Sequence, residues 1–167
     1  MNNELTRKDI EDMEKEIEYR KCVVRPELLE HVKEARSLGD LSENFEYYAA
    51  KKEKNKNESR IRYLERMIRT AQVLDDESGD DEVGINKTIT VYVEEDDVEE
   101  VYKIVTTVRE DSLHGLVSNE SPMGRALMGH KVGDRVEISV SKDYSYFVTI
   151  RKIDNSTIDE AGELRNF

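Results

Sequence analysis

The feature that most constrains this chain is a change of hydrophobic period part-way along it. Up to residue 74, apolar residues recur at steps of three and four: Ile10, Met13, Ile17, Val24, Leu28, Val32, Ala35 and Leu38. A second run starts at Phe45, Tyr48, Ala49 and Lys52 and resumes at Ile61, Leu64, Ile68, Ala71 and Leu74. Such spacing puts one stripe on each of two helices, which an antiparallel pair buries as a single seam. After residue 84 the period becomes two. KTITVYVEE and EEVYKIVTTV flank an acidic turn, and RVEISVS and YFVTIRKI flank KDYS, which predicts two hairpins. The fold class that satisfies both periods is α+β: an N-terminal antiparallel α-helical coiled-coil hairpin, then a small antiparallel β domain with one short helix.

Punctuation between the runs supports this division. Thr6 and Asp9 resemble a capping box opening the first helix. Pro26 lacks an amide donor and crowds the preceding turn, so a kink or restart is expected near Val24 to Pro26. The return stripe loses its apolar residues around Asn55 to Arg60, where packing is expected to be weakest. In SPMGRALMG, Ser121 is the expected N-cap, Pro122 the first helical residue, and Gly129 the residue just past the end. Four segments follow: 1–76 as the hairpin with its tip near 39–46, 77–86 as an acidic linker, 87–155 as the sheet domain, and 156–167 as a tail with no place in the sheet.

Charge decides which partners are allowed. The net charge of −12 argues against nucleic acid, but residues 75–100 alone hold 12 acidic side chains against one basic, while residues 1–74 hold 16 of each. The excess is therefore read as a solvated linker and hairpin turn, and the helical half remains free to meet a polyanion. Cys22 is the single cysteine, so no intramolecular disulfide forms, and the scattered His31, His114 and His130 make a poor zinc set. No stretch approaches the ~20 apolar residues that span a bilayer, and MNNELTRKDI is no signal peptide. The reading is a cytoplasmic protein without a membrane partner, and a monomer because both stripes are used within the hairpin.

The stretch GDLSENFEYYAAKKE, from Gly39 to Glu53, admits two explanations. Gly39 suits the residue after the first helix, and Asp40 with Glu43 forms a D-x-x-E capping box for the second. Tyr47 and Tyr48 would then be seam fillers, and the lysines a solvated face. Alternatively, two carboxylates at the end of a thin rod are hard oxygen ligands for Mg²⁺, able to complete a metal site that belongs to another molecule. Arg36, Lys51 and Lys52 behind them would hold an RNA backbone by charge.

GDLSEN followed by E-Y-x-A-A-K, with RPEL and EAR before it and RIRYLERMIRTAQVLD after it, resembles the coiled-coil domain of the bacterial transcript cleavage factors of the GreA/GreB family, on the GreA side. VSNESPMGRALMGHKVGDRVEI is similar to the S-P-x-x-x-A-L-x-G-x-x-x-G-D segment of that family's FKBP-like C-terminal domain. The resemblance covers residues 5 to about 153. It implies a coiled coil that enters the secondary channel of bacterial RNA polymerase while the FKBP-like domain docks at the channel mouth. In that picture Asp40 and Glu43 help the polymerase active centre retain Mg²⁺ and cut the 3′ end of backtracked nascent RNA. Ser42, Asn44 and Glu46 would orient the tip, and Arg36, Lys51 and Lys52 would bind RNA. Ser121, Pro122, Ala126, Leu127, Gly129, Gly133 and Asp134 would form the docking segment. The chain would not be an enzyme itself, would hold no metal when free and no cofactor of its own, and would share Mg²⁺ with the polymerase. Proline isomerase activity is not implied, because this half has few aromatics for a proline pocket.

Several positions depart from the family pattern. Phe45 stands where Ala is common, Tyr48 where His is common, and Asp9 where Gly is common. An alternative reading therefore stands beside the first: a channel-occupying regulator that binds polymerase without efficient cleavage. A third, a coiled-coil adaptor unrelated to polymerase, is disfavoured by the S-P-x-x-x-A-L segment.

Overall fold

The computed structural model describes residues 3–39, 44–75, 77–155 and 163–165. The chain divides into two compact units, one of residues 10–71 and one gathering residues 3–9 with the described residues from Gln72 on.

Helices α1 (Arg7–Tyr19), α2 (Arg25–Ser37) and α3 (Phe45–Arg69) make up the first unit, except for the opening turn of α1. Between α1 and α2 the chain makes one π-helical turn, Arg20–Val24, closed by the Arg25 amide donating to the Arg20 carbonyl. This is where the restart was expected, and it takes the form of a widened turn rather than a break. Two causes coincide there. Pro26 removes a donor and its ring crowds the carbonyl four residues back. The apolar repeat from Ile10 to Ala35 is also one residue longer than strict alternation of three and four allows, and a π turn absorbs one extra residue.

The helices run antiparallel, since cross-helix partners ascend on one side as they descend on the other: Glu16 with Arg60, Arg20 with Asn57, Arg36 with Tyr47. The phase of the return stripe differs from the expectation at its outer end. Tyr47, Asn57, Arg60, Ile61, Leu64 and Met67 are the buried residues of α3, whereas Phe45 is 85% exposed and Tyr48 52% exposed. The seam takes its phase from Ile61 and Leu64; stepping back from them at 3.6 residues per turn reaches Lys54, Ala50 and Tyr47. Phe45, Tyr48, Ala49 and Lys52 consequently face outward.

Packing around Asn55 to Arg60 is not absent but changes chemistry. Arg60 donates to Glu16 at 2.7 Å, Arg20 to the same carboxylate at 2.8 Å and to Asn57 at 3.0 Å, and Arg25 grips Glu58 through two bonds of 2.7 and 2.9 Å. Burial pushes the Glu16 carboxyl up, but the hydrogen bonds from Arg60 and Arg20 and their charges outweigh it and hold the group below its ordinary 4.5. A polar seam of this kind favours one register, because a slipped register strands buried charges.

The second unit is built on a five-stranded sheet in the order β5-β4-β3-β7-β6: β3 (Thr88–Val93), β4 (Val98–Val105), β5 (Leu116–Ser118), β6 (Arg135–Ser139) and β7 (Ser145–Asp154). Both expected hairpins are present, with Val93 opposite Val98 and Ser139 opposite Ser145. The expectation of an all-antiparallel sheet is corrected, because β5 pairs with β4 in parallel. Two short 3₁₀ turns, Thr107–Arg109 and Ser112–His114, occupy the connection and return the chain in the same direction. A separate two-stranded sheet joins β1 (Asn3–Leu5) and β2 (Ala71–Val73), neither long enough to carry a readable period.

Alternation along β3 turns Ile89, Val91 and Val93 inward, and Ile104, Val148 and Ile150 meet them. Helix α4 (Pro122–Leu127) covers this core with Leu127, which is fully buried. Not all of the segment 77–86 is linker: Val83 and Ile85 belong to the same core, and Val83 exchanges backbone hydrogen bonds with His130 and Gly129. The capping box at the start of α1 forms as expected, with Thr6 N donating to Asp9 at 2.8 Å and Asp9 N donating to Thr6 Oγ1 at 3.1 Å. Asp9 has a further task that its spacing did not reveal: its carboxylate accepts from Arg109 Nε at 2.5 Å, and both side chains are 1% exposed.

Candidate functional site

The end of the hairpin is closed by one side chain. Asn44 Oδ1 accepts from the Tyr47 amide at 2.9 Å, capping α3, while Asn44 Nδ2 donates to the Ala35 carbonyl in the last turn of α2. Gly39 follows the α2 cap residue Leu38 with φ of +135°, a conformation that L side chains rarely adopt. Asp40, Ser42 and Glu43 lie outside the described residues. The expectation that Asp40 caps the second helix is corrected, since the N-cap of α3 is Asn44.

Around this end the candidate residues are distributed over distinct faces. Glu46 lies in the first turn of α3, where a carboxylate complements the helix dipole, and borders a cavity of about 230 Å³ with His31, Glu34 and Leu38. Arg36 donates to the Tyr47 hydroxyl at 3.3 Å with its guanidinium 5.5 Å from the ring centre, and this bond holds the Tyr47 phenol below its ordinary 10.0. Lys51 and Lys52 are exposed on α3, and Lys51 adds to the positive field at Tyr47. Arg36 and Lys51 therefore converge on Tyr47, while Lys52 points away from the seam with Tyr48 and Phe45.

In the second unit the candidate docking segment is a capped helix followed by a tight strap. Ser121 Oγ accepts from the Gly124 amide at 3.0 Å, Pro122 opens α4, and Ala126 packs against the core. Leu127 is fully buried, so its contribution is to seat the helix rather than to meet a partner. Gly129 and Gly133 take φ of +80° and +94°, and Gly133 N donates to the Ile150 carbonyl at 2.7 Å. The Asp134 carboxylate accepts from the Lys131 amide at 2.9 Å and faces His130 Nδ1 at 3.0 Å; these contacts hold it below its ordinary value and tie the strap into a turn. Pro122, Gly129 and Gly133 are exposed, and Ser121 and Asp134 are half-buried.

Several supporting residues had no signal at the level of sequence. Gly124 is required by a close approach, because a Cβ there would lie 2.0 Å from the Ser118 carbonyl oxygen. Asn119 donates to Glu4 at 2.8 Å and Asp9 pairs with Arg109, both across more than a hundred residues or close to it, where no periodicity reaches. The polar seam did leave a trace: Asn57 and Arg60 occupy apolar phase positions opposite Glu16 and Arg20.

Fold and site together define a two-part factor, a capped helical hairpin joined in sequence to a mixed-sheet domain. Residues 3–73 match the family model described as "Transcription elongation factor, N-terminal", and residues 77–155 match "Transcription elongation factor, GreA/GreB, C-term". The chain belongs to the GreA/GreB family of transcription elongation factors. It is 46% identical over 153 residues to the transcription elongation factor GreA of Streptococcus pneumoniae serotype 19F (strain G54), covering 91% of this chain and 95% of that protein. It is 42% identical over 149 residues to GreA of Macrococcus caseolyticus (strain JCSC5402), covering 89% and 94%. Among solved structures, the GreA factor homolog 1 (Gfh1) protein of Thermus thermophilus aligns at 24% identity and a TM-score of 0.43, over 93% of this chain and 100% of that one. Among the described residues, no helix is long and apolar enough to cross a membrane.

Proposed function

We propose that this factor binds bacterial RNA polymerase, inserts its helical hairpin into the secondary channel, and stimulates Mg²⁺-dependent cleavage of backtracked nascent RNA by the polymerase's own active centre. The observation that carries this reading is the division of labour at the hairpin end. Asn44 closes both helices, so the helix that Asp40 was expected to cap has its cap elsewhere. The N-cap of α3 therefore does not call for an acid at position 40, and metal assistance gives that acid a use.

The donor chemistry fits the ion. Two carboxylates are hard oxygen ligands, and Mg²⁺ completes its shell with phosphate and water. When bound in the polymerase, Mg²⁺ supplies Lewis acidity and an activated water. Asp40 and Glu43 would furnish oxygens to its shell, Ser42 and Glu46 would orient the connection, and Asn44 would hold it between the helix ends. Arg36, Lys51 and Lys52 supply positive charge for the RNA backbone. The segment Ser121, Pro122, Gly129, Gly133 and Asp134, seated by Ala126 and Leu127, docks the second unit. The factor acts as a monomer in the cytoplasm and is not an enzyme by itself.

The test is transcript cleavage in a backtracked elongation complex with labelled RNA at fixed Mg²⁺, comparing no factor, wild type and Asp40→Asn. Asn is as good a cap as Asp but a poorer Mg²⁺ ligand. Cleavage by wild type that is lost in the variant supports the proposal. Binding without cleavage by wild type would sink it in favour of a channel-occupying regulator.

A further inference from the structure

The outer turns of α3 carry an exposed face that neither the seam nor the capping of the hairpin uses. Phe45 is 85% exposed and Tyr48 52% exposed, and Ala49, Lys52 and Lys56 are exposed as well. At 100° per residue these five side chains fall within about 60° of one direction, opposite the seam residues Tyr47, Ala50 and Lys54. Glu46 and Glu53 lie about a quarter turn round from Phe45, so no carboxylate shares the centre of the face. Among the described residues, no acid pairs with Lys52 or Lys56.

Burial does not explain why aromatic rings stand in water here. An exposed Phe in the first turn of a helix contributes nothing to a core, and its neighbour Tyr48, half exposed, meets Tyr47 in a T-shaped arrangement with ring centres 5.5 Å apart. The composition of the face narrows the occupant. Protein-binding patches favour aromatics but are depleted in Lys, whereas single-stranded nucleic acid sites combine aromatic platforms for bases with cations for the backbone. Along the helix axis Tyr48 follows Phe45 by about 4.5 Å, and Lys52 and Lys56 follow at about 10 and 16 Å. The order is ring, ring, cation, cation, leading away from the end of the hairpin.

We infer that this face is a binding platform for single-stranded RNA, with Phe45 and Tyr48 stacking on unpaired bases and Lys52 and Lys56 meeting the phosphates. The inference rests on the polymerase reading above, in which the extruded 3′ segment is the single strand within reach, and it adds a base-stacking element to a site otherwise argued from charge. It also assigns a use to the aromatic residues at 45 and 48. Stacking tolerates any base, so the platform grips extruded RNA irrespective of sequence.

The experiment uses the full-length factor and two elongation complexes on one polymerase. One is backtracked with 2-aminopurine near the RNA 3′ end, and the other is held in register with no extruded RNA. Factor affinity, 2-aminopurine quenching and cleavage are measured for wild type, Phe45→Leu, Phe45→Tyr and Lys52→Gln; position 45 is exposed, so the variants fold. Phe45→Leu should lose the quenching and bind the backtracked complex roughly tenfold more weakly. It should bind the in-register complex like wild type. Phe45→Tyr should retain both signals, and Lys52→Gln should weaken binding to the backtracked complex with a shallower salt dependence. Equal losses by Phe45→Leu on both complexes would make the face a contact with polymerase protein and overturn the inference. So would wild-type behaviour of Phe45→Leu throughout, while wild-type cleavage keeps the polymerase reading intact. A wild-type factor that binds neither complex would remove that reading and the inference with it.

Discussion

The helical unit and the sheet unit hold together by different means. In the sheet, alternating Ile and Val from β3, β6 and β7 meet beneath α4, and several of these side chains are fully buried. In the hairpin the seam is one stripe wide, and its middle is polar, with Glu16, Arg20, Asn57 and Arg60 bonded to one another. A two-helix rod has no interior away from its seam, so it cannot gather the apolar area that a sheet under a helix gathers. The lesson concerns placement. Phe45, Lys51 and Lys52 are exposed, where folding asks little of them, and residues that folding needs, such as Arg60 and Leu127, are withdrawn.

The largest expected effect tests the buried pair of the second unit. Arg109→Met leaves the Asp9 carboxylate buried without its partner and should cost about 3–5 kcal/mol, read as a drop in the urea midpoint. The double variant Asp9→Ala with Arg109→Met should recover part of that loss, short of the whole because Asp9→Ala also removes the capping-box acceptor of the Thr6 amide; no recovery would mean that the pairing with Asp9 is not what Arg109 contributes. Leu127→Ala comes next, at about 2–5 kcal/mol, because it opens a cavity beneath α4. Amide hydrogen exchange should report it as lost protection across β3, β6 and β7, and unchanged protection there would contradict the packing described.

Smaller effects belong to the hairpin. Asn44→Ala should cost about 1–2 kcal/mol by uncapping α3, seen as faster exchange in its first turn. Glu16 makes a pH prediction. Its folded-state value lies below its ordinary 4.5, so its contribution is fully present above that value and is lost as the pH falls through the depressed one. Helical circular dichroism followed from pH 7 downward should therefore decline below about pH 4.5, and Glu16→Gln should flatten this part of the profile; an unchanged acid limb in that variant would exclude Glu16 as the titrating group. Phe45→Ala should change stability by no more than about 0.5 kcal/mol, since the ring is exposed. A clear loss of stability there would place Phe45 in packing rather than on a binding face.

Much of the fold was legible from residue order. Gly39, Pro26 and the S-P pair at Ser121 stand where the structure turns, widens or caps the chain, because each acts through backbone geometry within a few residues. The period-two runs appear as β3, β4, β6 and β7 for the same local reason. The phase of α3 near the tip was not legible. Phe45, Tyr48 and Ala49 are apolar at helical spacing, and periodicity alone does not distinguish a stripe facing a seam from one facing outward. The site was legible only as a set of charged and aromatic residues close to one hairpin end.

By itself the sequence determined the two-part architecture, the direction reversal at Gly39 and the inward residues of each strand. These follow from backbone sterics and burial period, which act over one turn or one pleat. Only the tertiary structure decided that Asn44 closes both helix ends, that Asp9 meets Arg109, that β5 lies parallel to β4, and that the aromatics at 45 and 48 face outward. Asp9 and Arg109 meet across a hundred residues, and the other three depend on how neighbouring segments pack against one another, which is set by packing and charge complementarity that hydrophobic period alone does not encode.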